Sequence, residues 1–323
     1  MVFEGVKLHS CSVGGKFLYL SLPKLGLIKA RHHRLLPNGA KLKSVQIIKK
    51  ADGWYINLRL EDKTIPDFKP DLIPNWDNSI GMDAVLHEDD YLATSEGFKL
   101  PSLKSFRKSQ SKLAQVSKRK SAKKKGSKAR RKLAKREARV HQRIARARKD
   151  HAYNTAHALL KTGKQVFFHE KLNLKDLSRK NKPKQDETGK YLPNGQSAKS
   201  GLNKSWNDAA FNQFFNILKY KAEKAGVLVV SVTPQYSSML LSYRDEFVFT
   251  DCSIREYWDE KLNLLIDRDI NSSLNIKRLG LGLFPSIKRR RGKNPIVVVS
   301  TTNSTSKEVL LVHKIWATQK PAL

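Results

Sequence analysis

Acidic residues in three separated settings carry the most specific chemistry in this sequence. Asp83 follows Gly81 and Met82 in the run GMDAVL, a mid-strand position facing a sheet edge or cleft, where a buried unpaired carboxylate is expensive and needs a reason. Glu170 ends the apolar run KQVFFH, and Asp267 and Asp269 open a helical stretch just after the apolar residues 264–266. Taken singly, each has a plain structural use: a turn carboxylate for Asp83, a surface residue for Glu170, an N-cap for Asp267 or Asp269. Brought together, such acids repel one another unless divalent cations sit among them. Two Mg²⁺ or Mn²⁺ ions about 3.5 to 4 Å apart activate a water and stabilise the leaving oxygen of a phosphodiester. Metal-dependent phosphodiester hydrolysis is the chemistry these residues imply.

The charge balance points independently to a polyanionic partner. The 323 residues include 63 Lys plus Arg against 29 Asp plus Glu, a net charge of +34, far beyond what solubility needs. Residues 101–150 hold 21 Lys or Arg with only Glu137 and Asp150 as acids, a net +19 in one segment. Its Ala, Leu, Gln, Lys and Arg predict two helices broken at Gly126-Ser127, with Leu133, Val140, Ile144 and Ala147 on one stripe. A solvated helix face usually mixes signs, whereas this one repels itself without an anion. Lys118, Arg119, Lys120, Lys123, Lys124, Lys125, Lys128, Arg130, Arg131, Arg143, Arg146 and Arg148 are therefore the candidates for nucleic-acid contact.

Other classes are disfavoured. Cys11 and Cys252 stand too far apart, with no second thiol near either, to build a disulfide framework or a thiolate zinc site, which suits a reducing, cytoplasmic setting. No apolar run approaches the roughly 20 residues that span a bilayer, and the N-terminus lacks the order of a signal peptide. Neither a membrane nor a small-molecule cofactor is expected. The nine histidines form no HxxxH or HExxH pattern, and His32-His33 suits phosphate contact or the surface. The Asn303-Ser304-Thr305 sequon is a chance match, and Lys288 to Arg291 reads as a phosphate contact or solvated tail.

The elements that must position the acids read as an α/β core. Residues 1–77 alternate as a small β-meander with a hairpin at Asp52-Gly53, and 62–77 form a Pro-containing linker ending before a strand at Asn78. Residues 164–169 and 227–232 predict buried strands, 207–225 an amphipathic helix stopped by Gly226, and 267–279 a final helix. Residues 178–204 lack periodicity and read as a loop. There is no internal repeat.

Five ordered blocks resemble the TnpB family of transposon-encoded RNA-guided nucleases, related to the type V CRISPR effectors. They are GMDAVLHEDDYLATSEG, the basic helices, FFHEKLNL, SWNDAAFNQFFNILKYKAEKAGVLVVSVTPQYSS and IDRDINSSLNIKRLGL, and the similarity runs from about residue 18 to 283. The resemblance implies an α/β fold: a RuvC-like RNase H fold core over 78–283, with a basic helical insertion at 101–160, a loop at 178–205 and a degenerate zinc-ribbon insert at 241–266. It implies a partial wedge-like β-barrel over 1–77, matching only the second half of the family's barrel, and leaves 284–323 as a basic, polar tail. Carried over by position, Asp83, Glu170 and Asp269 match the catalytic, Mg²⁺- or Mn²⁺-binding acids. Asp269 is preferred to Asp267 because the family pattern keeps an Asp two residues before the Asn, here Asn271. DNA and a guide RNA are the implied partners. Leu241, Arg244, Asp259 and Leu262 stand where the family carries four zinc-binding cysteines, so no zinc is expected. The implied activity is RNA-guided DNA cleavage. The alternatives are a nuclease-inactive DNA- or RNA-binding derivative and a non-functional gene fragment.

Overall fold

The computed structural model describes residues 2–4, 6–9, 16–33, 35–63, 68, 71–87, 89–251, 253–288, 294–299 and 306–319. Cys11, Cys252, Pro66, Pro70, residues 289–291 and the Asn303 sequon lie outside the described residues. The chain divides into two compact units, Met1–Lys69 with Ser111–Arg143, and Pro70–Gln110 with Ile144–Leu323.

The first unit contains strands β1 (Val2–Glu4), β2 (Lys7–His9), β3 (Phe17–Leu22), β4 (Gly26–Arg31), β5 (Lys41–Lys50) and β6 (Gly53–Glu61). They form two antiparallel three-stranded sheets, β1-β5-β6 and β2-β3-β4. Alternation decides which face is buried: Leu18, Leu20 and Leu22 of β3 join Val45 in a small core. Asp52-Gly53 is the β5–β6 turn, as its sequence predicts. Helices α1 (Ser105–Ser121) and α2 (Lys128–Leu160) meet at a turn where Gly126 has φ +81. Leu113, Val116 and Val140 are buried, so each basic helix keeps a narrow apolar seam.

The second unit is built on strands β7 (Ser79–Ala84), β8 (Asp90–Thr94), β9 (Lys99–Pro101) and β10 (Val166–Glu170). There follow α3 (Leu174–Leu177), β11 (Lys184–Gln185), β12 (Tyr191–Leu192), α4 (Gln196–Ala209), α5 (Phe211–Lys224) and β13 (Leu228–Val232). The chain continues through β14 (Glu256–Asp259), β15 (Leu264–Asp267), α6 (Arg268–Gly280), β16 (Ser286–Lys288), β17 (Ile296–Val299) and α7 (Ser306–Gln319).

The central sheet runs β13-β10-β7-β8-β9. β7, β10 and β13 are parallel, and the β7–β8 and β8–β9 pairs are antiparallel. β7 is buried nearly throughout, as a parallel strand covered on both faces must be. Ile80 and Met82 pack with Phe167 of β10 and with Phe211, Phe214 and Leu218 of α5. The alternate residues Gly81 and Asp83 face the other way, toward α6. There a Cβ on Gly81 would come 2.1 Å from the carbonyl oxygen of Ser273, so only glycine allows the helix this close.

Three stretches differ from their sequence reading. Residues 178–204 contain the β11–β12 hairpin and the first half of α4. This structure rests on side-chain amides rather than an apolar stripe, with Asn181 and Asn194 hydrogen bonded across it, and so leaves no periodicity. The helix expected over 207–225 is interrupted at Ala210, whose φ of 53 ends α4 and starts α5 at a new angle. Finally, 284–323 is not merely a tail: β16 pairs with β17, and α7 buries Val309 and His313. Val309, Val312 and Trp316, at offsets of three and four, pack against a core containing Val85, Ile266 and Ile270, a short stripe that follows the polar Ser/Thr/Asn stretch 300–306.

Candidate metal-dependent site

Asp83 and Glu170 lie on neighbouring parallel strands. The β10–β7 ladder ends at the pair His169 and Met82, so the two acids follow one step beyond it. The backbone N–H of Ala84 donates to Glu170 Oε1 at 3.1 Å, fixing that carboxylate at the end of β7. Burial raises the Asp83 carboxyl well above the ordinary aspartate range, and the charges of Glu170 and Asp269 add to it; a Ser272 hydrogen bond and Arg268 oppose the shift. Glu170 is raised as well, by burial, with the Ala84 N–H working against it. These are mutually repelling acids held in a dry setting.

The third position comes from the start of α6. Asp267 is its N-cap: Oδ1 accepts from the N–H groups of Asp269 at 3.0 Å and Ile270 at 2.9 Å. Its other oxygen takes Lys99 Nζ at 2.9 Å, so both oxygens are committed. Asp269 is one residue into the helix, with Lys99 Nζ at 3.3 Å and Arg255 Nη1 at 3.5 Å. Burial raises the Asp267 carboxyl, against the pull of Lys99. Burial also works against the Lys99 ammonium, but Asp267, Asp269 and Asp90 outweigh it and hold that group above the ordinary lysine value.

The polar face of α6 explains the composition of DRDINSSLN. Asn271 donates to the Leu240 carbonyl at 2.7 Å and accepts from the Ser242 N–H at 2.8 Å. Asn275 donates to the carbonyls of Ser237 and Leu240. These bonds tie the helix carrying Asp269 to the segment before β14, and leave Ser272 to reach Asp83.

Carboxylate oxygens are the hard donors Mg²⁺ and Mn²⁺ prefer, and the charge shared by Asp83, Glu170 and Asp269 suits a divalent cation. In their present rotamers, among the described residues, no group of three or more His, Cys, Asp or Glu is placed to hold a metal ion. Asp269 is instead ion-paired with Lys99 and Arg255. The donor set fits in type and charge, with one member held by cations of the protein itself.

The zinc positions do not fit a metal. Leu241 is fully buried in the second core. Asp259 accepts from Tyr243 Oη at 2.6 Å, pairs with Arg244 Nη2 at 3.1 Å, and takes the N–H groups of Lys261 and Leu262 on its other oxygen. One carboxylate clamped by an arginine and a tyrosine bridges the insert at this point. Phe249, edge-on to Tyr257, is buried, while Trp258 is exposed.

Of the basic candidates, Lys118, Arg119, Lys123, Lys124, Lys125, Lys128, Arg131, Arg143 and Arg146 are exposed. The remaining three have structural partners. Lys120 pairs with Glu137, Arg130 donates to the carbonyls of Lys120 and Lys123 at the end of α1, and Arg148 Nε lies 3.0 Å from Asp208. Asp208 also accepts from the N–H groups of Phe106 and Arg107, capping α1 from a distant residue. Sequence reasoning missed Lys99, Arg255 and Ser272. Ser272 was within reach of it, three residues after Asp269 on the same helix face, whereas Lys99 in FKLP carries no signal.

Residues 74–181 match the family OrfB_IS605, described as "Probable transposase", and residues 211–276 match the Cas12f1-like TNB domain. The "Putative RNA-guided DNA endonuclease InsQ" of Escherichia coli (strain K12) is 29% identical over 223 residues, 69% of this chain and 52% of that protein. The chain thus spans about half the length of this curated relative. Among solved structures, a chain of a Cas12f1–sgRNA–target DNA complex matches at 17% identity and TM-score 0.38, covering 73% of this chain and 56% of the other. A chain of a CRISPR-Cas12f ternary complex matches at 18% identity and TM-score 0.42, covering 74% and 46%.

The protein is a mixed α/β protein with acidic residues brought together at the ends of its central strands and the start of α6. Its sequence is similar to a transposase family over residues 74–181 and to a protein named as a putative RNA-guided DNA endonuclease over 223 residues.

Proposed function

We propose that this chain is an RNA-guided DNA endonuclease of the TnpB type, with a RuvC-like core in which Asp83, Glu170 and Asp269 hold two Mg²⁺ or Mn²⁺ ions. The observation that carries the reading is the meeting of Asp83 and Glu170 on adjacent parallel strands, with Asp269 close enough to raise the Asp83 carboxyl further. When bound, the ions would activate a water and stabilise the leaving oxygen of a phosphodiester. The protein's share is positioning. Ala84 N–H orients Glu170, Ser272 orients Asp83, and the N-cap at Asp267 fixes the backbone of Asp269. In this reading 78–283 is the nuclease domain, 1–77 a partial wedge-like barrel, and the exposed cations of α1 and α2 contact the phosphates of DNA and a guide RNA.

The test is cleavage. The full chain, purified with co-expressed RNA, is incubated with labelled single- and double-stranded DNA and Mg²⁺, beside Asp83→Ala and Glu170→Ala. Cleavage by the wild type that both variants lose supports the reading. The pairing of Asp269 with Lys99 and Arg255 favours a second reading, a DNA- or RNA-binding protein without cleavage. Tight Mg²⁺-independent binding with no cut from any variant would establish that reading instead.

A further inference from the structure

Lys99 sits on the edge strand β9 with its side chain only 17% exposed, and it faces three carboxylates. Its Nζ lies 3.1 Å from Asp90, 2.9 Å from Asp267 and 3.3 Å from Asp269. An ammonium has three N–H donors and no acceptor, so three carboxylate oxygens saturate it. It is also a compact point charge on a flexible stem, able to keep two partners while releasing a third.

The three partners are not equivalent. Asp267 has one oxygen on two backbone N–H groups and the other on Lys99, so its rotation would uncap α6. The Asp269 carboxylate is held by the side chains of Lys99 at 3.3 Å and Arg255 at 3.5 Å, contacts longer than the one Asp267 makes with Lys99. It is the one able to turn toward Asp83 and Glu170.

Building on the proposed metal-binding role, we propose that Lys99 is a positioning residue that stands in for a divalent cation: it holds Asp269 in the metal-free protein and surrenders it when a metal binds. Asp90 and Asp267 retain the ammonium in both states. Lys99 therefore competes with the metal for Asp269 and supports the metal-free site.

Mn²⁺ is the probe. Its affinity for the full chain is measured by calorimetry and its effect on unfolding by thermal melting, for wild type, Lys99→Met, Lys99→Gln, Lys99→Arg and Asp83→Asn. Lys99→Met and Lys99→Gln are expected to melt lower without metal yet bind Mn²⁺ about tenfold more tightly, the usual size of coupling between two competing occupants, and Lys99→Arg to restore wild-type behaviour. A purely structural lysine would lower both quantities. Equal or weaker Mn²⁺ binding by both neutral variants overturns the role of Lys99, and if Asp83→Asn still abolishes binding, the metal reading survives that failure. Mn²⁺ binding that is indifferent to both Asp83 and Lys99 overturns the two together.

Discussion

The guanidinium of Arg278 lies 2.8 Å from the carboxylate of Asp245, and neither side chain reaches solvent. Arg278 also donates to Asn275 Oδ1 at 3.1 Å, so the last turn of α6 is locked to a residue whose own φ is +54. Removing one partner leaves a buried charge without its counter-ion, which typically costs about 3 to 5 kcal/mol, whereas replacing both with apolar residues is often tolerated. Arg278→Met should therefore destabilise by several times more than the Arg278→Met, Asp245→Leu double variant. Denaturant titration measures both, and equal losses would mean that the charge itself is not the issue.

Gly81 makes a second demand on the same helix. A Cβ there would stand 2.1 Å from the Ser273 carbonyl oxygen and 2.5 Å from the Lys277 nitrogen, both backbone atoms that cannot move aside cheaply. Gly81→Ala should push α6 off β7 and cost about 1 to 3 kcal/mol as overpacking. Because Asp83 and Asp269 sit on the two displaced elements, Mn²⁺ binding should weaken along with stability. A variant as stable as wild type would show that the contact between strand and helix is looser than these distances.

Much of this was legible in the sequence, for identifiable reasons. GMD and DRDIN announced their elements because a Gly-flanked acid in an apolar run and an acid at a helix start each have few physical explanations. The break at Gly126 was readable because Gly adopts positive φ freely. Ala210 was not: an alanine with φ 53 is imposed by packing, here by α4 ending where Asp208 caps α1. Lys99 was equally hidden, since its three carboxylate partners come from β8 and the start of α6, and no local pattern encodes them. The buried face of α7 is a short stripe of Val309, Val312 and Trp316 after a polar Ser/Thr/Asn stretch, too brief to stand out as a period.

His313 gives stability a pH dependence. Its ring is fully buried on α7, beside the Ser242 hydroxyl at 3.1 Å and the Tyr243 ring, and burial lowers it to about 3 from the ordinary 6.5. Between those values the unfolded chain binds a proton that the folded chain does not. The contribution of His313 is thus complete above pH 6.5 and is lost as pH drops toward 3, by up to about 1.4 kcal/mol per pH unit. In His313→Phe the fall between pH 7 and 5 should be shallower by that amount. Identical slopes in urea titrations of the two proteins would remove His313 from the account.

The basic helices offer a test that needs no knowledge of the guide or target. Nine of the twelve candidate cations are exposed, while Lys120, Arg130 and Arg148 are partly buried against internal partners. If six to ten phosphates are neutralised, affinity for nucleic acid should fall by roughly a thousandfold or more between 50 and 200 mM salt. The slope should also dissect by residue. Replacing Lys123, Lys124 and Lys125 at the turn by alanine should reduce the logarithmic salt slope by up to about 0.9 per lysine on duplex DNA and about 0.7 on a single strand. Arg130→Ala, which strips two carbonyls at the end of α1 of their donor, should instead lower the melting temperature while changing the slope little. A salt slope unmoved by the triple substitution would take the α1–α2 turn out of the nucleic-acid interface, whatever the charge of the segment.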